Sequence, residues 1–119
     1  MPQKRRESNS TQQYLLRHHK NGISVGFIAH PSFVEDSEVR GFNGPLSIAA
    51  AQHDNIFPAP KRQQTEKLLS EGKTTWQMTL FSGVEHGFSV RGDMNVKVEK
   101  FAKEAAFRQA VNWFDEHLG

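Results

Sequence analysis

Asp54 and His86 are the two residues of this chain whose types and placement could share a catalytic proton. Each follows an apolar, strand-like run: Leu46–Ala51 (LSIAAA) precedes Asp54, and Thr75–Phe81 (TTWQMTLF from Thr74) precedes His86. Their separation of 32 positions leaves room for one helix and one strand. If the two runs are parallel strands, both side chains lie at the carboxyl end of the sheet, where ligands and catalytic groups of open α/β sheets gather. There an aspartate can accept the imidazole N–H, fix its tautomer and stabilise the imidazolium when the histidine takes a proton. These are two members of a nucleophile–histidine–acid triad. Spacing alone leaves a plainer alternative open, in which Asp54 caps the next helix and His86 is an ordinary loop histidine.

A nucleophile is harder to place. The chain has no cysteine, which excludes a thiolate nucleophile, thiolate metal sites and disulfides within these residues. Gly22-Ile23-Ser24-Val25-Gly26 matches G-x-S-x-G, and the order Ser24, Asp54, His86 is that of α/β-hydrolases. A nucleophile elbow needs a strand before its serine and a helix after it. Here the polar HHKNG precedes and the strand-like FIAHP follows, so Ser24 reads as a chance match inside a strand. His30, His53, Asp54 and His86 are the candidate metal ligands, but no pair has H-E-x-x-H spacing, and no metal or cofactor is expected. Arg91, five residues past His86, could hold a carboxylate bidentately or could be an ordinary exposed loop arginine. There is no Gly-rich phosphate loop, and Trp113-Phe114 reads as core.

The elements that must position these residues follow in order. Met1–Gln13 is polar and without periodicity, and is expected to be a disordered or loose basic arm ahead of a domain over 14–119. Tyr14–Lys20, with a basic end and Asn21-Gly22 after it, reads as the last turns of a helix. Ile23–Ala29 (ISVGFIA) reads as a strand buried on both faces and ended by His30-Pro31. Ser32–Glu35 fits a capping box for a short helix near Phe33–Val39. Pro60–Glu71 is a surface helix stopped by Gly72, and Ser82-Gly83 opens a loop through His86 to about Val96. In the final helix, Val98–His117, Phe107, Val111, Phe114 and Leu118 recur at helical spacing, with Ala110 and Trp113 alongside and charges opposite, and should face the core. Alternating strands and helices predict an α/β fold with about three parallel strands and flanking helices.

Composition narrows the classes further. At 119 residues the chain is one domain at most. Its net charge of +2 resides in the first twenty residues, chiefly Lys4-Arg5-Arg6 and Arg17–Lys20; the remainder is slightly acidic, which argues against nucleic acid as a partner. The N-terminus lacks the apolar region of a secretory signal, and no apolar run approaches the ~20 residues of a membrane span. A cytoplasmic chain with no membrane partner is the default expectation.

Four pieces of sequence, in this order, resemble one known family. AHPSFV (Ala29–Val34), GPLSIAAAQHDNIFP (Gly44–Pro58), LFSGVEHGFSVRGD (Leu80–Asp93) and AFRQAVNWFDEHL (Ala106–Leu118) are similar to the C-terminal half of the dienelactone hydrolase family. The resemblance implies a partial α/β-hydrolase fold, opening of lactones or cleavage of esters by a Cys–His–Asp triad, and no cofactor. It carries the acid onto Asp54, the base onto His86 and a substrate-carboxylate contact onto Arg91. It also puts ISVGFIA on a plain strand, and it expects the nucleophile elbow upstream of Tyr14–Arg17, where this chain has MPQKRRESNST. The expected function is therefore that of an ester or lactone hydrolase lacking its nucleophile elbow and inactive alone. A non-catalytic interaction module is the alternative, self-associating through ISVGFIA if that strand is an unpaired apolar sheet edge.

Overall fold

The computed structural model describes residues 15–20, 23–31 and 36–118, and it is an α/β layer structure built on one sheet. Strand β1 is Leu15–Lys20 and β2 Ile23–Ala29, followed by helix α1, Asp36–Gly41. Strand β3 (Leu46–His53), helix α2 (Ala59–Glu71) and strand β4 (Trp76–Glu85) come next. A single-turn helix α3, Phe88–Arg91, and the long α4, Lys97–Leu118, complete the chain. The sheet order is β1-β2-β3-β4. Strands β2, β3 and β4 are parallel, as expected for an α/β chain, while β1 runs antiparallel to β2.

The β1 segment corrects the expectation of a helix end. All six of its residues pair with β2, from Leu15 opposite Ile28 to Lys20 opposite Ile23. Only Asn21-Gly22 separates the two strands, and Asn-Gly between strands is a hairpin pair as readily as a helix stop. The backbone of β2 had hydrogen-bonding groups to satisfy, and a six-residue segment beside it meets them. This also removes the unpaired edge expected at ISVGFIA, because β2 lies inside the sheet. The expected arm over 1–13 and the capping box at Ser32–Glu35 lie outside the described residues; the helix near them is α1.

Period-two alternation divides the core between the two faces of the sheet. Phe27, Ala29, Ala49, Ala51, Phe81 and Val84 point to one face, against Phe88 of α3 and Ala102, Ala106 and Ala110 of α4. Ile28, Leu46, Ile48 and Ala50 point to the other, against Val39 of α1, Phe57, and Leu68 and Leu69 of α2. The central β3 is therefore covered on both sides, and Ala49, Ala50 and Ala51 are wholly buried. Their small side chains let the helices approach the backbone closely.

That close approach decides which face of α4 is inside. Ala102, Ala106 and Ala110, four residues apart, lie against the sheet as α4 crosses β2, β3 and β4. Of the bulky stripe expected there, Phe107 is 69% exposed and Val111 42%. At 3.6 residues per turn that stripe lies roughly 100° around the helix from the alanines. Phe114 alone of that stripe packs against the alanine-side core. Ala106→Leu should accordingly destabilise the chain by about 1–3 kcal/mol through overpacking. Phe107→Ala should change stability by no more than about 0.5 kcal/mol. Urea denaturation of both variants checks the pair, and the reverse ranking would mean the helix packs on its bulky face.

Strand β4 continues past Phe81, where a loop was expected. Between the pairs Ala51–Phe81 and His53–Glu85, β4 advances four residues while β3 advances two. Gly83, at φ +76°, sits in this bulge, and its N–H is taken by Gln52 Oε1 at 2.9 Å. The bulge puts Phe81 and Val84 into the same core cluster and delivers the chain to His86. Among the described residues no helix is long and apolar enough to cross a membrane.

Candidate functional site

Asp54 follows directly on β3 and His86 directly on β4, so both stand at the carboxyl end of the parallel strands. The Asp54 side chain is fully buried and its two oxygens have separate tasks. Oδ1 accepts the backbone N–H groups of Ile56, at 2.8 Å, and Phe57, at 3.0 Å. This Asx-type turn seats the wholly buried Phe57 in the core below α2. Oδ2 meets His86 Nδ1 at 2.8 Å. A carboxylate only accepts, so Nδ1 carries the proton and Nε2 is the basic nitrogen. The plainer alternative for Asp54 is thus half right: it does hold its own turn, and with the other oxygen it orients His86. His86 is 19% exposed, enough to meet a reacting group.

The loop that carries His86 is set by Gly87 and Arg91. Gly87 has φ +92°, the left-handed region that favours glycine, and it caps α3. Arg91 curls back over it and Nη2 donates to the His86 carbonyl at 3.1 Å. The expected substrate-binding arginine is thereby placed beside the pair, exposed, with one of its five donors committed to the loop. A cleft of about 310 Å³ lies among His86, Gly87, Arg91 and Glu99. A β-carbon on Gly87 would run into the Arg91 guanidinium as well as straining the backbone. Gly87→Ala should therefore cost about 1–3 kcal/mol. The same change should shift the His86 ring resonances, which a histidine-labelled NMR spectrum would show.

His30, a candidate metal ligand by sequence, joins this site instead as a ring packed against His86. It ends β2 with φ +36°, unusual for a residue other than glycine, and its N–H donates to Ala49 O at 2.6 Å. The ring is fully buried, its Nε2 2.5 Å from Ser89 Oγ. It stands edge-on to His86, with ring centres 5.2 Å apart, and edge-on to Phe88 at 5.3 Å. Burial, and then the charge of His86, lower the His30 pKa to about 4. A histidine closing a buried strand was the one available signal; Ser89 offered none.

The remaining candidates fall away from the pair. Ser24 lies near the start of β2, opposite His19 of β1, in a strand with no elbow. Parallel strands put that end of β2 on the order of 20 Å or more from Asp54. Among the described residues no three His, Cys, Asp or Glu side chains could hold a metal ion.

Residues 14–118 match the dienelactone hydrolase family. The chain belongs to that family. It is 50% identical over 107 residues to "Hydrolase tropI" of Talaromyces stipitatus, covering 89% of this chain and 42% of that protein. It is 45% identical over 107 residues to "Hydrolase pyvD" of Aspergillus violaceofuscus, covering 89% and 44%. "Dienlactone hydrolase 1" of Gibberella moniliformis is 34% identical over 92 residues, covering 77% of this chain and 35% of that protein. The chain thus spans less than half the length of these relatives. The parallel sheet with flanking helices is the corresponding part of the family's α/β fold.

Proposed function

We propose that this chain carries the acid and the base of an ester- or lactone-hydrolysing site, with the nucleophile supplied by polypeptide outside these residues. The observation that carries this reading is the Asp54–His86 hydrogen bond at the ends of adjacent parallel strands. Asp54 holds the Nδ1–H tautomer, and His86 Nε2 takes the proton from an attacking thiol or hydroxyl as that group adds to the substrate carbonyl. The imidazolium then returns the proton to the leaving alkoxide, and the same nitrogen activates water to release the acid. Asp54 stays ionised throughout and stabilises the imidazolium. Arg91 has donors left for a substrate carboxylate, and the substrate class is a small ester or lactone.

The 119 residues contain no cysteine, and their G-x-S-x-G serine sits in a strand at the far end of the sheet. The chain alone is therefore expected to hydrolyse an activated ester no faster than buffer. The decisive experiment is a chimera in which Leu15–Leu118 replaces the matching part of the Talaromyces hydrolase. The chimera should hydrolyse an aryl ester, and His86→Gln or Asp54→Asn in it should reduce turnover to near the buffer rate. A folded chimera whose turnover survives His86→Gln would overturn the proposal.

A further inference from the structure

We infer that His30 is a positioning residue for His86: locked by Ser89, its ring braces the edge of the His86 imidazole and keeps Nδ1 on Asp54. The inference rests on the reading of Asp54 and His86 as acid and base. Asp54 holds the His86 ring at Nδ1, and the tilt of the ring about that bond sets where Nε2 points. A shift of a few tenths of an ångström at Nε2 matters to a proton transfer that works only at hydrogen-bond distance. The His30 ring stands against His86 at 67°, edge to face, with its centre 5.2 Å away.

The brace is itself held from three sides. The His30 backbone is tied to Ala49 by its N–H, Phe88 packs on the ring at 70°, and Ser89 Oγ meets Nε2. Phe88 and Ser89 come from the same turn of helix that follows His86, so the brace and the base ring are fixed to one rigid unit. A positive φ at a histidine costs about 1–3 kcal/mol and persists where the surroundings demand it. Here it turns the side chain at the end of β2 under the site. A phenylalanine would supply the same edge without the polar atoms. What the imidazole adds is the bond to Ser89, which fixes ring rotation. Because burial and the His86 charge keep His30 neutral down to about pH 4, it does not add a second cation beside His86 when that residue is protonated.

The test uses the full chain labelled with ¹⁵N-histidine, its ring nitrogens read by long-range ¹H–¹⁵N correlation at neutral pH. In the unaltered chain His86 should show a protonated Nδ1 with a downfield proton, and Asp54→Asn should abolish it. If the unaltered chain lacks that signal, or Asp54→Asn keeps it, the acid–base reading fails whatever His30 does. With that signal established, His30→Ala should lose the downfield proton while the amide spectrum stays dispersed, and His30→Phe should restore most of it. Retention of the unaltered His86 signal in folded His30→Ala would overturn the brace. Should His30→Ala fail to fold, Ser89→Ala carries the test, since it leaves the ring in place but unlocks it. It is expected to broaden or shift the His86 signal, and an unchanged signal there overturns the inference equally.

Discussion

Asp54→Ala is expected to destabilise the chain by about 3–5 kcal/mol, while Asp54→Asn costs far less yet inverts the His86 tautomer. The difference lies in how the carboxylate divides its work. Alanine strands the Ile56 and Phe57 N–H groups that Oδ1 accepts, one of them buried, and it leaves His86 Nδ1 without its acceptor. Each buried donor left unmade costs about 1–3 kcal/mol, and the Asx-type turn that seats Phe57 in the core goes with them. Asparagine keeps an acceptor oxygen for both backbone groups. Its amide N–H₂, however, now faces His86, so Nδ1 must accept and the proton moves to Nε2. That leaves no basic nitrogen toward a nucleophile. Urea denaturation should therefore separate alanine sharply from asparagine, and histidine ring NMR should separate asparagine from the unaltered chain. Equal stability of the alanine and asparagine variants would mean that the turn does not depend on Oδ1.

The parts of this fold written in local pattern were legible, and the parts decided by partners were not. β3, α2 and α4 fall close to their expected limits because apolar runs, prolines and glycines mark them within a few residues. The Asp54–His86 pair was legible for the same reason: each residue follows a strand whose end is visible. β1 was not legible, since Leu15–Lys20 carries little pattern of its own and becomes a strand only by pairing with β2. The buried face of α4 was misread because hydrophobicity favoured Phe107 and Val111. The opposing sheet face carries Ala29, Ala49 and Ala51 beside Phe27, Phe81 and Val84, and close approach selected Ala102 and Ala106 with Ala110. Gly83 read as the start of a loop and proved to be a bulge within β4. His30 and Ser89 are 59 residues apart, and nothing local in either predicts their bond.

His30 also gives the chain an expected acid weakness, set by its own titration. In the unfolded chain an unperturbed histidine titrates near 6.5, while in the fold burial and then the charge of His86 lower His30 to about 4. Between those values the unfolded state binds the proton and the folded state does not, so stability falls as pH falls. The contribution is fully present above about pH 6.5, declines through the window, and is exhausted below about pH 4. Its upper size is about 3 kcal/mol, a sizeable share of the ~5–15 kcal/mol by which domains are stable. The groups facing the ring make the sign robust: His86 and Arg91 both oppose a charge on His30, and Asp54, which favours it, has its outer oxygen committed to His86. His30→Gln cannot titrate and its amide can still meet Ser89. Urea denaturation from pH 7.5 to 4 should therefore show the unaltered chain losing about 2–3 kcal/mol more than His30→Gln, nearly all of it below pH 6.5. Parallel curves would mean that His30 takes up a proton in the folded chain as easily as in the unfolded one, which its buried place between Ser89, Phe88 and His86 does not allow.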